Sequence, residues 1–235
     1  MTKAGVQTGQ EGEPVPTPGR TRGVGADASA ATSAWLVDQR IPGVLFFVLA
    51  TGFMTIIMLA ASMAPDYDIG AAAISDLGVI EETALLFDGS LVLVGLLNAL
   101  ANSLLYRSHR RTGLLAISLA ASTGAIGAGL VPLDRGGLHG LFALLAFVAF
   151  NLQAISSGRI VTSPMKVLSY VAGTVGLIFV VVMAAGDAGN EAFFGAIGHG
   201  GTERMIVYPV MLWLLAFGGY LMAAGQRAGG LARPA

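Results

Sequence analysis

Two of the three histidines in this chain, His139 and His199, stand close to carboxylates, and that neighbourhood suggests three kinds of chemistry. Asp134 precedes His139 by five residues, while Glu203 and Arg204 follow His199 within five. With Asp76, these histidines and Asp134 could give a zinc ion three or more ligands and leave one position open for water. No His-Glu-x-x-His string or comparable spacing accompanies them. Without a metal, His139 and Asp134 could serve as general base and orienting carboxylate, with Ser75 as nucleophile. The third possibility is a binding or transport site. Along 84–106, Asp88, Leu91, Gly95, Asn98 and Asn102 recur at spacings of three and four, which puts the polar ones on one helical face. Such a face lines a path or hydrogen-bonds to neighbouring helices, and Asn151 and Gln153 could extend it.

The elements that carry these residues are apolar. Hydrophobic residues make up 54% of 235 and charged residues only 11%, against roughly 25% in a soluble domain. There is no cysteine, so disulfides, thiolate metal sites and thiol redox chemistry drop out. Six continuously apolar runs, 41–63, 84–106, 113–133, 137–157, 167–185 and 205–224, are each long enough to cross a bilayer as a helix. None alternates with period two, which argues against barrel strands. The expected fold is an all-α bundle of six transmembrane helices spanning 35–226. Residues 1–34, rich in Gly, Pro and Thr, read as a disordered cytoplasmic tail, and 227–235 as a short cytoplasmic one.

Basic residues set the orientation. Eleven of thirteen, Lys3, Arg20, Arg22, Arg40, Arg107, Arg110, Arg111, Arg159, Lys166, Arg227 and Arg233, fall on the side of the termini, leaving Arg135 and Arg204 opposite. Both termini are therefore expected in the cytoplasm, and the bundle in a plasma membrane. On the far side the odd-numbered connections gather Asp66, Asp68, Asp76, Glu81, Glu82, Asp134, Asp187, Glu191, His199, Glu203 and Arg204, with Asp88 just inside the second span. Arg204 there is expected to pair with Asp76 or Asp134. The inner basic residues are scattered over short loops, which gives nucleic-acid binding no support.

Other features look structural. Ala116, Ala120, Gly124 and Ala128 form a small-residue ladder that lets another helix approach, and it places the third helix in the bundle interior. Trp35 and Tyr106 suit the membrane interface. Pro209 could bend the sixth span, and the basic group around Arg110 could touch anionic lipid.

Several strings together resemble one family. They are Ile74-Ser75-Asp76-Leu77-Gly78, Phe87-Asp88, Val131-Pro132-Leu133-Asp134 followed by His139, and Gly201-Thr202-Glu203-Arg204 with Trp213 beyond. The chain from about 40 to 225 resembles domain-of-unknown-function family 998, a group of prokaryotic six-helix membrane proteins. It departs at Asp88, where asparagine is expected. The Ser75 loop is also distantly similar to the DRAM-like six-helix family, some of whose relatives are linked to lipid handling. The first resemblance implies an architecture and no reaction.

The leading expectation is an extracytoplasmic polar pocket for a lipid head group or small polar ligand, drawn from Ser75, Asp76, Asp88, Asp134, His139, His199, Glu203 and Arg204. A hydrolase or transferase acting on lipid, with or without zinc, and a purely structural membrane protein are the alternatives.

Overall fold

The computed structural model describes residues 1–2, 39–135 and 137–231, with side chains up to 226. The tail at 3–38, with Trp35, Lys3, Arg20 and Arg22, lies outside the described residues, as do residues 232–235 with Arg233 and the side chain of Arg227. Six long helices follow in order: α1 Arg40–Met63, α2 Ala84–His109, α3 Thr112–Leu130, α4 Gly137–Ser157, α5 Met165–Asp187 and α6 Gly198–Leu231. All six are long and apolar enough to span a membrane, and no strand occurs among the described residues. At 1.5 Å per residue the 19 residues of α3 reach about 28 Å, close to the thickness of the hydrocarbon layer.

The helix ends follow local chemistry. The α2 helix stops where Arg110 turns into the left-handed region at φ 54°, its N–H returning to the Tyr106 carbonyl. The α3 helix stops at Val131, which is extended ahead of Pro132. Short 3-10 turns at Ser75–Gly78, Leu133–Arg135 and Glu191–Ile197 fill the connections on one side.

The six helices form a ring in which each packs on its chain neighbours and α6 closes back on α1. Glycines make that closure possible. A Cβ on Gly43 of α1 would lie 2.9 Å from the Gly218 carbonyl, and one on Gly218 of α6 would lie 2.6 Å from the Gly43 carbonyl, so the two backbones meet without side chains between them. Phe46 packs on Phe217 at 5.4 Å beside this contact, and Trp213 stacks on Phe217 at 5.0 Å. The Trp213 indole N–H donates to Ser169 Oγ at 2.8 Å and ties α6 to α5.

The small-residue ladder in α3 does bring a neighbour close, because a Cβ on Gly124 would lie 2.8 Å from the Ala146 Cα. It does not place α3 inside the bundle. The α3 helix is one ring member between α2 and α4, with Ala116 exposed and Ala120 half-buried. Large apolar side chains such as Phe47, Leu96, Leu141 and Val181 cover the outside, while Asn98, Asn102, Ser118, Ser122, Asn151 and Gln153 are buried within. This inside-out distribution suits a hydrocarbon solvent, in which polar groups must find partners among themselves.

The predicted polar stripe on α2 faces inward at Asn98 and Asn102, and Asp88 is half-buried. Asn98 Nδ2 donates to Gln153 Oε1 at 3.1 Å and Gln153 Nε2 returns a bond to Asn98 Oδ1 at 3.0 Å. The same Asn98 amide reaches the Ser118 carbonyl and Ser122 Oγ, and Asn102 Nδ2 bonds back to Asn98. The stripe thus joins α2, α3 and α4.

Candidate functional site

The connection from 64 to 83 folds over the start of α6, and two adjacent residues of α6 hold it there. Its own turns are local. Asp68 Oδ1 accepts from the N–H of Gly70, and Asp76 Oδ2 accepts from the N–H of Ala73 at 2.8 Å. The α6 helix begins seven residues before the predicted span, at Gly198, so Thr202, Glu203 and Arg204 lie on the helix rather than in a loop. Gly198 and Gly200 at the start of the helix serve contact. Gly200 N–H donates to the Gly70 carbonyl at 3.0 Å, and a Cβ there would strike the carbonyls of Ile69 and Ala72.

Arg204 is 7% exposed and its guanidinium donates to backbone carbonyls, not to a carboxylate. Nη1 reaches Ile69 O at 2.8 Å, Ala72 O at 3.1 Å and Gly200 O at 2.8 Å, while Nη2 donates to the Tyr67 hydroxyl at 2.7 Å. The expected ion pair with Asp76 or Asp134 does not form. Carbonyl dipoles converging from a tight loop can hold the Nη groups of a guanidinium as a carboxylate does, while the Nε–H stays buried with no partner among the described residues, and sequence shows side chains only. Tyr67, which the sequence reading passed over, completes this clamp. Its hydroxyl donates to the Ala73 carbonyl at 2.6 Å, and burial raises its pKa above the ordinary value. Glu203 works on the other polarity of the same loop: its carboxylate accepts from the Ile74 N–H and, at 3.2 Å, from Ser75 Oγ.

The remaining candidates bond to other partners than one another. His139 is buried and its Nδ1 is 2.7 Å from the Val131 carbonyl, so that carbonyl, not Asp134, orients the ring. Asp134 is exposed and lies 3.9 Å from the equally exposed Arg135. His199 pairs with Asp187 at 3.2 Å on the surface. Asp88 Oδ1 is buried with no partner among the described residues and sits against Gly78. Among the described residues no three of His, Asp and Glu gather closely enough to hold a metal, so the zinc set of His139, His199, Asp76 and Asp134 is not assembled. His139, Asp134 and Ser75 share no hydrogen bond: the first meets the Val131 carbonyl, the second lies beside Arg135 and the third donates to Glu203.

What the ring does contain is a cavity. It encloses about 590 Å³ of space between atoms, counting its open side, and α1, α2, α3, α4, α6 and the 64–83 connection all contribute to its wall. Apolar side chains such as Phe53, Leu91, Val94, Phe147 and Met211 dominate it. Its polar wall residues are Ser75, His139, Glu203 and Asn151; Ser75 bonds to Glu203, and Asn151 bonds to the Ile206 carbonyl about one turn further along α6. From His139 to Asn151 along α4 is about 18 Å at the helical rise.

Residues 29–220 match the family model described as Protein of unknown function (DUF998). The chain belongs to that family. No curated protein and no solved structure matches it. In this family member, the motifs Ile-Ser-Asp-Leu-Gly and Gly-Thr-Glu-Arg are two halves of one contact, because Ser75 and Ile74 from the first bond to Glu203 from the second.

Proposed function

We propose that this protein binds an amphiphile inside its helical ring, with an apolar chain along the cavity and a polar head at Ser75, His139 and Glu203. One observation carries the reading: a cavity within the bundle has a wall of apolar side chains with four polar residues, two of which, Ser75 and Glu203, bond to each other. Sites for small molecules have this make-up, mostly apolar with a few convergent polar groups. The ligand expected from sequence, a lipid head group or small polar molecule, is thereby redirected. Arg204 belongs to the loop clamp and not to the cavity wall, so the pocket lacks the two signs of charge that a zwitterionic head would need.

The polar end faces the extracytoplasmic side in this proposal, with both termini in the cytoplasm of a prokaryotic cell and the bundle in its plasma membrane. The eleven-to-two distribution of basic residues supports that orientation. Because the chain has no cysteine, Glu82→Cys and Thr162→Cys variants can be labelled with an impermeant reagent on intact cells. Labelling at 82 and protection at 162 is the expected pattern, and the reverse overturns it.

Binding is tested by native mass spectrometry after gentle extraction. The wild type should retain an adduct of amphiphile mass. Ala143→Trp, which fills the cavity from α4, should lose that adduct while keeping its melting temperature within a few degrees. Equal adducts on both proteins would remove the cavity as the site.

A further inference from the structure

We infer that the cavity selects a head that donates hydrogen bonds, a hydroxyl or an ammonium, and rejects anionic heads. This rests on the amphiphile reading above. The argument is a count of hydrogens at the four polar wall residues. Ser75 has one, and it goes to Glu203 Oε1. His139 Nδ1 lies 2.7 Å from the Val131 carbonyl, which can only accept, so the neutral ring carries its hydrogen on Nδ1. Its Nε2 then offers a lone pair, and no described group bonds to it. Asn151 has two, and they go to the carbonyls of Phe147 at 2.8 Å and Ile206 at 3.3 Å. The Glu203 carboxylate has none, and it accepts from Ile74 and Ser75 with lone pairs left over. With His139 neutral and Glu203 ionised, every hydrogen on the polar wall is used, and what faces an incoming head is a set of acceptors.

Cations are missing from the wall as well. Among the described residues no lysine or arginine lines the cavity. Arg204 follows Glu203 directly, yet its Nη atoms are engaged with the 67–72 segment and with Gly200. Arg135 is exposed beside Asp134. A carboxylate or phosphate entering this end would be desolvated opposite lone pairs, with no donor and no positive charge to offset the cost. A hydroxyl meets the acceptors with its own hydrogen. An ammonium meets them with three and adds attraction to Glu203.

Wild-type full-length protein in phosphatidylcholine nanodiscs is incubated with an equimolar mixture of tetradecan-1-ol, tetradecylamine and tetradecanoate, then washed, and the retained species are quantified per protein. The chains are equal, so retention reports the head. Alcohol or amine should exceed carboxylate by at least about tenfold, and Ala143→Trp should retain none. The ratio of alcohol to amine tells which donor the site takes. Retention of tetradecanoate at the level of the others, lost in Ala143→Trp, would overturn the inference and leave the amphiphile reading standing. Retention of no probe above the Ala143→Trp level would bring down that reading itself. Because the wild-type comparison needs no folded variant at the polar end, a misfolded mutant cannot obscure it.

Discussion

The half of the bundle under the 64–83 connection, the outer half in the proposed orientation, and the opposite, inner half bury polar side chains in different ways. At the outer end Arg204 and Glu203 bind backbone groups of a loop, carbonyls on one side and an N–H on the other. In the inner half Asn98, Gln153 and Ser122 bind mainly one another across helices. The first arrangement fixes a connection that supplies part of the cavity wall. The second fixes helix against helix where no cavity is needed. Losing a member of the outer set therefore frees backbone groups that have nowhere else to turn, whereas losing a member of the inner set leaves amides that can rearrange.

The largest effect that follows is at Arg204. Arg204→Met keeps the volume but strands the carbonyls of Ile69 and Ala72 and the Tyr67 hydroxyl, with charged hydrogen bonds worth about 1.5–3 kcal/mol each before rearrangement. A net loss of about 3–5 kcal/mol is expected by thermal unfolding in detergent, with the 64–83 connection becoming sensitive to protease. A loss below that of any inner-network variant would remove the contrast.

Gly200→Ala probes the same clamp through its backbone. The new Cβ would meet the carbonyls of Ala72 and Ile69, which are not the ends of flexible side chains and cannot step aside. Overpacking of this kind costs about 1–3 kcal/mol. Gly137→Ala at the start of α4 meets nothing within 4 Å and is the control expected to melt like wild type.

For the inner half, Asn98→Leu should cost about 1–2 kcal/mol, because interhelical bonds in membranes average well below that and Gln153 loses its partner as well. Adding Gln153→Leu should recover part of the loss, since both partners are then apolar. A double-mutant cycle with no coupling would show that the reciprocal pair is not the unit.

The difference between the halves also explains what could be read in advance. Asn98 and Asn102 recur with helical spacing inside an apolar run, so their inward face was legible from periodicity, as were the six spans themselves. Arg204 was legible as an anomaly but not as a clamp. Its partners are carbonyls of Ile69, Ala72 and Gly200, and any residue supplies a carbonyl. The start of α6 was missed for a related reason. Glycines at 198, 200 and 201 lower helix propensity, and only the loop packed against Gly198 and Gly200 shows why side chains are absent there. The cavity was hidden because its wall is made of the same Phe, Leu, Val and Ala that fill solid cores.

The smallest expected effect, and the one that separates the clamp from its polar network, is at Tyr67. Its hydroxyl accepts from Arg204 Nη2 and donates to the Ala73 carbonyl, and its ring lies 5.7 Å from the guanidinium carbon. Tyr67→Phe keeps the ring and deletes both bonds. Arg204 retains its three carbonyls, so the loss should be about 1 kcal/mol, against several for Arg204→Met. The alkaline limb gives the sign. Burial raises the folded-state pKa of Tyr67 above the ordinary value near 10, and the hydrogen bond and charge of Arg204 only partly oppose this. Between the unfolded and folded values the native state holds a proton that the unfolded chain has released, so stability falls as pH rises through that window. Below the unfolded value both states are protonated and the contribution is fully present. Wild type should thus lose stability above about pH 10 more steeply than Tyr67→Phe, and the two melting curves should converge as pH rises. Parallel curves would mean that the phenol is not held neutral by its surroundings, and the clamp would then consist of Arg204 and backbone alone.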